Sequence, residues 1–185
     1  MKQLVDYMVA ALVLLLCCPL LLYIAIRIRM QGAGSVFYQQ ERLGKGGVPF
    51  RMVKFRTMVT GAEDGTPLLA VSDDQRVTAF GRTLRKHHLD ELPQFWNVLK
   101  GDMSLVGTRP PTVDEYEQYN YSQKRRISFR PGITGLWQIS GRSDITDFDD
   151  VVKLDLEYID NWSLFLDVKI IFKTVGVVFR GSGAR

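Results

Sequence analysis

The chain has 185 residues, 46% of them hydrophobic and 24% charged, which allows one domain with a real core and excludes a disordered chain, a collagen and a polytopic membrane bundle. Its 24 Lys plus Arg against 20 Asp plus Glu give a net charge of +4, and that charge is spread unevenly. Residues 27–56 set Arg27, Arg29, Arg42, Lys45, Arg51, Lys54 and Arg56 against a single acid, Glu41, whereas residues 144–167 hold eight acids and one base, Lys153. The sum describes local fields rather than a uniformly basic protein, and the acidic stretch reads as a solvated face.

Tyr7 to Ile26 carries no charge. As a straight helix this run is about 30 Å long, enough to cross a hydrocarbon core. A cleaved signal peptide needs a small-residue cleavage site, and Ile26-Arg27-Ile28-Arg29 stands there instead. A spanning anchor would place the bulk of the protein on the cytoplasmic side through Arg27 and Arg29. Pro19 offers an alternative, because proline removes a backbone donor and bends a helix, and a segment broken there can dip into the bilayer and return to the same face. Both readings remain open on these residues alone. The only cysteines, Cys17 and Cys18, are adjacent within the run, so no disulfide framework exists, which fits a reducing compartment, and apolar packing is the expected role of both.

Beyond the apolar run, Val36 to Arg42 and Val48 to Phe55 are rich in β-branched and aromatic residues around a glycine-rich Leu43-Gly44-Lys45-Gly46-Gly47 connection, which predicts a β-hairpin. Gly61 to Asp74 reads as an exposed loop. Leu92, Phe95, Trp96 and Leu99 mark one face of a helix, with Pro93 in its first turn and Gly101 as its stop. Thr112 to Arg126 predicts a more polar helix, ended by Arg130-Pro131-Gly132. Trp162, Phe165, Leu166, Ile170, Phe172 and Phe179, interspersed with Lys169, Lys173 and Arg180, predict a basic, aromatic-rich amphipathic helix. It can pack on the core or lie in a membrane interface, and the short chain favours the interface.

No Walker loop, Gly-x-Gly-x-x-Gly, Gly-x-Ser-x-Gly elbow or zinc-ligand spacing occurs, and His87 and His88 are the only histidines. The dense region runs from Leu84 to Pro111. Asp90 and Glu91 stand where the helix of Leu92 to Leu99 begins, and the plain explanation is an N-cap with acids suited to the helix dipole. Arg85 lies one helical turn earlier, and Arg109 follows in a Gly-Thr-Arg-Pro-Pro turn. Guanidiniums bind phosphate bidentately, and an acid pair beside arginines can hold Mg²⁺ and a diphosphate together.

Five blocks then carry a resemblance: Lys54-Phe55-Arg56-Thr57-Met58, Leu89-Asp90-Glu91-Leu92-Pro93-Gln94, Asn97 to Ser104, Gly107-Thr108-Arg109-Pro110 and Arg130 to Gly135. In this order, followed by Tyr158 to Ser163, they resemble the monotopic bacterial sugar transferases, the polyprenyl-phosphate phosphoglycosyl transferases, over almost the whole chain. The resemblance implies transfer of a phosphosugar from a UDP-sugar to a polyprenyl phosphate, usually undecaprenyl phosphate, through a covalent intermediate on Asp90. It implies Glu91 as partner through Mg²⁺ or proton transfer, Asp90 and Glu91 as metal ligands, and Arg85, Arg109 and Lys54 as phosphate-binding groups.

The resemblance also implies a re-entrant membrane helix broken near Pro19, on the cytoplasmic face of a bacterial inner membrane. The expected fold is α+β and mainly helical: residues 1–30 form the re-entrant helix and its flank, and residues 31–185 form a cytoplasmic-face catalytic domain with a small β-hairpin and amphipathic interfacial helices. Expected partners are UDP-sugar, polyprenyl phosphate and membrane lipids, with no nucleic acid, for which the basic residues lack a binding motif. In exopolysaccharide or other glycoconjugate assembly such a transfer is the initiating step. Two departures stand out. The family usually has Gly-Pro-Arg-Pro where this chain has Gly107-Thr108-Arg109-Pro110, and larger members carry a multi-span region and a further domain before the catalytic part, so this chain is either a minimal form or a piece of a longer one. A reading from another class is a non-catalytic membrane-surface protein that binds anionic lipid through residues 27–56.

Overall fold

A computed structural model describes residues 1–61, 74–141, 145 and 147–180, with side chains as far as Val177. The fold is α+β and mainly helical. Helix α1 (Lys2–Arg29) opens the chain and stays helical through Pro19. Its two ends are docked and its middle is not. At the N-terminal end Lys2 pairs with Asp167 at 2.6 Å, Asp6 accepts from Ser104 Oγ at 2.7 Å and Leu105 N at 3.3 Å, and Ala10 enters the main core with Val98, Met103, Val106 and Tyr158. At the other end Ile24 and Ile28 pack with Phe55 and Leu84 in a second core, and Arg56 Nη2 donates to the Ile28 carbonyl at 3.2 Å. Between them Leu12, Leu15, Leu16, Pro19 and Leu20 are exposed, and Cys17 and Cys18 are free thiols.

Strands β1 (Phe37–Leu43) and β2 (Pro49–Phe55) form the expected antiparallel hairpin, in register from Phe37 opposite Phe55 to Leu43 opposite Pro49. Its turn needs left-handed backbone at Gly46 and Gly47, with φ of 70° and 80°. The register places Tyr38 opposite Lys54 and Arg42 opposite Phe50 on the inner face. Most of the expected loop of residues 61–74 lies outside the described residues.

Helix α2 (Ala79–Lys86) is capped by Thr78, whose hydroxyl accepts from Gly81 N at 2.9 Å. Helix α3 (Gln94–Lys100) follows Pro93 and ends at Gly101 in left-handed backbone with φ 86°, as the sequence predicts. Its most deeply buried face is different from the apolar stripe, however. Gln94, Asn97 and Val98 point inward, Phe95 and Leu99 pack on the main core from the flank, and Trp96 is 56% exposed. Asn97 explains the rotation, because its amide takes the place of a neighbouring strand for β2, accepting from Val53 N at 3.0 Å and donating to the Arg51 carbonyl at 2.8 Å.

A second sheet, which the pattern of residues does not announce, pairs β3 (Ser104–Val106) with β4 (Gly132–Thr134) in parallel. The single polar helix expected over Thr112–Arg126 is instead two short ones, α4 (Val113–Glu117) and α5 (Tyr121–Lys124), followed by a 3₁₀ turn at Arg125–Ser128. Each helix has its own capping box, Thr112 with Glu115 and Asn120 with Gln123, so Asn120 restarts the helix rather than continuing it.

Helix α6 (Leu136–Ile139) leads to α7 (Phe148–Asp160) and α8 (Leu164–Arg180). Helix α8 fits both sequence readings. Asp167 and Ile170 are buried, while Phe165, Val168, Phe172 and Val175 leave an apolar stripe exposed beside Lys169 and Lys173. The acidic stretch corrects its sequence reading as a solvated face. Asp155 and Asp167 are interior, Asp155 paired with Arg126 and Asp167 accepting from Tyr158 Oη at 2.7 Å and Trp162 Nε1 at 3.2 Å, while Asp147, Asp149, Asp150, Glu157 and Asp160 face solvent. In the basic stretch Arg42 is likewise buried rather than turned to the surface.

Candidate active site

Asp90 and Glu91 stand on a single 3₁₀ turn, Leu89–Glu91, between α2 and α3. The capping explanation of Asp90 does not hold, since α3 begins at Gln94 after Pro93 and has no side-chain cap. The Asp90 carboxyl is 9% exposed and receives a hydrogen bond from its own backbone amide, with no side-chain donor on it among the described residues. Burial pushes its pKa above the ordinary carboxylate range, and the like charge of Glu91 adds to the rise. Lys54 and Arg85 pull it back part of the way.

These two cations are near Asp90 but bonded to other groups. Lys54, at the inner end of β2, donates to Glu91 Oε1 at 2.7 Å. Arg85, in the last turn of α2, donates from Nε to the buried Thr57 hydroxyl at 3.0 Å. Thr57 also carries α2 itself. Its carbonyl accepts from Thr78 N at 3.0 Å, and a side chain at Gly81 would collide with that carbonyl, so glycine permits the close approach. Thr57 and Asn97 were inside the recognised sequence blocks without an assigned role. A hydroxyl directly after a run of strand residues, and an amide in the middle of an apolar helix, were the available signals.

The structure therefore brings together Asp90, Glu91, Lys54 and Arg85. Arg109 belongs to a separate group. It is exposed, and its charge bears on Arg42, Tyr119 and Asp155. The strap that carries it is fixed from both sides: Arg42 Nη1 donates to the Pro110 carbonyl at 3.0 Å, Leu43 N to the Pro111 carbonyl at 2.9 Å, and the Thr108 hydroxyl to the Arg126 carbonyl at 3.0 Å. A hydroxyl bond thus supports the strap at Thr108. Burial lowers the pKa of Arg42 and the nearby charge of Arg109 lowers it further, a repulsion that an anion at Arg109 would relieve.

No group of three carboxylate, imidazole or thiol ligands gathers among the described residues. Asp90 and Glu91 nevertheless fit a hard divalent cation. Mg²⁺ commonly takes one or two carboxylates and completes its shell with substrate phosphate and water, and it would relieve the repulsion that helps raise Asp90.

Comparison with known proteins gives the family of the chain. A model of the family described as bacterial sugar transferase matches residues 1–181. The chain is 52% identical to a galactosyl transferase of Streptococcus agalactiae, the match covering 100% of this chain and 43% of the relative. It is 40% identical to an undecaprenyl-phosphate galactose phosphotransferase of Salmonella typhimurium, covering 100% of this chain and 41% of that protein. An exopolysaccharide production protein of Rhizobium meliloti is also 40% identical, with 99% of this chain and 87% of that protein covered. The chain thus spans under half the length of the first two and most of the third.

Proposed function

The chain belongs to the bacterial sugar transferase family, and from that premise we propose that it moves a phosphosugar from a UDP-sugar to a polyprenyl phosphate through Asp90. In the first step a carboxylate oxygen of Asp90 attacks the β-phosphorus of the UDP-sugar. The bond from that phosphorus to the bridging oxygen breaks, and UMP leaves with the electron pair. In the second step a phosphate oxygen of the polyprenyl phosphate attacks the same phosphorus, the aspartyl oxygen leaves, and polyprenyl diphosphate-sugar departs with Asp90 regenerated.

The observation that carries this reading is the state of Asp90. It is a buried carboxylate without a side-chain donor among the described residues, next to two cations that are bonded to Glu91 and Thr57. A carboxylate neutralised by a direct arginine pair would be a poor nucleophile, whereas one left unpaired beside fixed cations can meet an incoming diphosphate that those cations attract. Lys54 and Arg85 orient the donor, and Arg109 on its strap takes a further phosphate oxygen. Asp90 and Glu91 would hold Mg²⁺, which neutralises phosphate charge when bound.

Helix α1 supports a monotopic attachment. A straight 28-residue helix is about 42 Å long, yet both of its ends pack on one domain, and most of its exposed leucines, Leu12, Leu15, Leu16, Leu20 and Leu22, lie between them. A helix crossing a bilayer would put Asp6 and Ile28 on opposite sides, and the domain that buries both cannot be on both sides. The leucine-rich middle and the exposed stripe of α8 then enter one leaflet, on the cytoplasmic face of the bacterial inner membrane, where the lipid phosphate lies at headgroup level.

Intact-mass measurement of the protein mixed with UDP-sugar and Mg²⁺, without lipid acceptor, tests the reading. A phosphosugar adduct that is absent in Asp90→Asn is the expected result, and undiminished UMP release by Asp90→Asn would overturn Asp90 as nucleophile. UDP-galactose is the first donor to try, since two of the relatives above carry galactose in their names.

A further inference from the structure

Among the described residues, His88 is the only one other than glycine with a positive φ, at φ 54° and ψ 20°. It sits at the junction of the two elements that build the site. Its N–H donates to the Arg85 carbonyl at 3.0 Å and closes α2, while its own carbonyl accepts from Glu91 N at 3.3 Å and opens the turn that carries Asp90. Its imidazole is half-buried and makes no hydrogen bond among the described residues.

A left-handed residue at this point decides what Asp90 faces. If α2 continued as a regular helix, Asp90, five residues after Arg85, would be rotated by about 140° from it and carried about 7.5 Å along the axis, on a different face. The left-handed step ends the α2 axis instead and turns the chain so that Asp90 comes under the charges of both Arg85 and Lys54. Such backbone is costly for a residue with a Cβ. It persists only where the surroundings over-determine it, and residues of this kind cluster at functional sites.

We infer that His88 is a positioning residue for Asp90, acting through its left-handed backbone rather than through its imidazole. This rests on the proposed phosphosugar transfer for its activity readout. The requirement at position 88 is then for a residue that accepts left-handed backbone. Glycine meets it without strain, asparagine nearly so, and a β-branched side chain does not.

The test is a series, His88→Gly, His88→Asn, His88→Ala and His88→Val, measured for melting temperature, UDP-sugar affinity and the rate of adduct formation at saturating UDP-sugar. His88→Gly and His88→Asn are expected to keep wild-type adduct formation, with His88→Gly melting at or above the wild-type temperature. His88→Val is expected to form adduct at least about tenfold more slowly at a temperature where it remains folded, with a much smaller change in affinity for the donor. Loss of adduct formation in His88→Gly, restored by added imidazole, would overturn the inference in favour of chemistry by the ring, and loss without restoration would overturn it as well. Wild-type rates in His88→Val would show that left-handed backbone is not required. If the wild-type protein itself forms no adduct, the transfer reading fails first. The melting order Gly, Asn, Ala, Val then still decides whether position 88 demands left-handed backbone, and a flat order overturns it.

Discussion

Asp90 and Asp155 are both carboxylates carried into the interior, and burial raises the pKa of each, that of Asp155 to about 6. They differ in how the cations around them are bonded. Asp155 takes Arg126 directly, Nε at 2.8 Å and Nη2 at 2.7 Å, and Arg126 in turn donates to Tyr119 Oη at 2.6 Å and lies over the Tyr119 and Phe148 rings. Asp90 has two cations in its field, and both are bonded to other side chains, Lys54 to Glu91 and Arg85 to Thr57. The first arrangement ties α7 to the 3₁₀ turn at Arg125–Ser128 through one oxygen, Oδ2, which takes both arginine bonds. The second leaves a carboxylate with no side-chain donor among the described residues, within reach of the charges of Lys54 and Arg85. Burial alone does not separate a structural from a reactive acid here; the partners of the cations do.

Exchanging each acid for its amide gives the largest effects, and they should be opposite in kind. Asp90→Asn should lose adduct formation by at least about 1000-fold while its melting temperature stays at or above that of the wild type, since it removes a buried charge that has no direct partner. Asp155→Asn should instead lower stability by about 3–5 kcal/mol, because it leaves Arg126 charged and unpaired in the interior. Chemical denaturation and intact-mass assays on the same two proteins read both axes. Asp155→Asn that abolished adduct formation while fully folded would erase the distinction.

A smaller effect separates the two acids by pH. Adduct formation requires ionised Asp90, so its rate should fall as pH drops through the raised pKa, with a midpoint above the ordinary 3.8. Removing the like charge in Glu91→Gln should move that midpoint down, and removing a favourable cation in Lys54→Met should move it up. At Asp155 pH acts on stability. Its folded pKa of about 6 exceeds the ordinary 3.8, so between these values the folded protein keeps a proton that the unfolded chain releases. This contribution is therefore fully present below about pH 4 and is lost as pH rises to about 6. Melting curves of the wild type and Asp155→Asn across that window would show the linkage as a pH dependence present in the wild type and absent in the variant.

The two regions were not equally legible in the sequence. The hairpin, the helix after Pro93 and its stop at Gly101 were readable because glycine, proline and β-branched residues act locally. Asp90, Glu91 and Arg85 stood out in the dense stretch from Leu84 to Pro111 and Lys54 through the motif blocks, and the structure gathers those four. Asp155 and Asp167 were hidden in an acidic stretch, since whether an acid is solvated depends on Arg126 and Lys2, which are distant in the chain, and on the packing of Tyr158. The β3–β4 pair was invisible for a related reason: three-residue strands have no period to detect, and their edges are satisfied by Asp6 and by Tyr158 Oη, which donates to the Val106 carbonyl at 3.1 Å. The break between α4 and α5 was readable in principle from Asn120 and Gln123, whose spacing is that of a capping box.

The smallest effect bears most directly on why Asp90 stays unpaired. Arg85 is held by one hydrogen bond from Nε to Thr57 Oγ1. Thr57→Val keeps the shape of the side chain and removes the acceptor, at a cost of about 1 kcal/mol. A released guanidinium can then turn toward the nearest buried carboxylate, Asp90, and make it resemble Asp155. The expected result is adduct formation slowed by about fivefold, with the acid limb of the pH profile moved down because the new pair favours the charged carboxylate. Thr57→Ser keeps the hydroxyl and should behave as the wild type. A slower rate with an unmoved acid limb would mean that Thr57 only supports the packing of α2. A downward shift would show that the reactivity of Asp90 is maintained by an acceptor that never touches it.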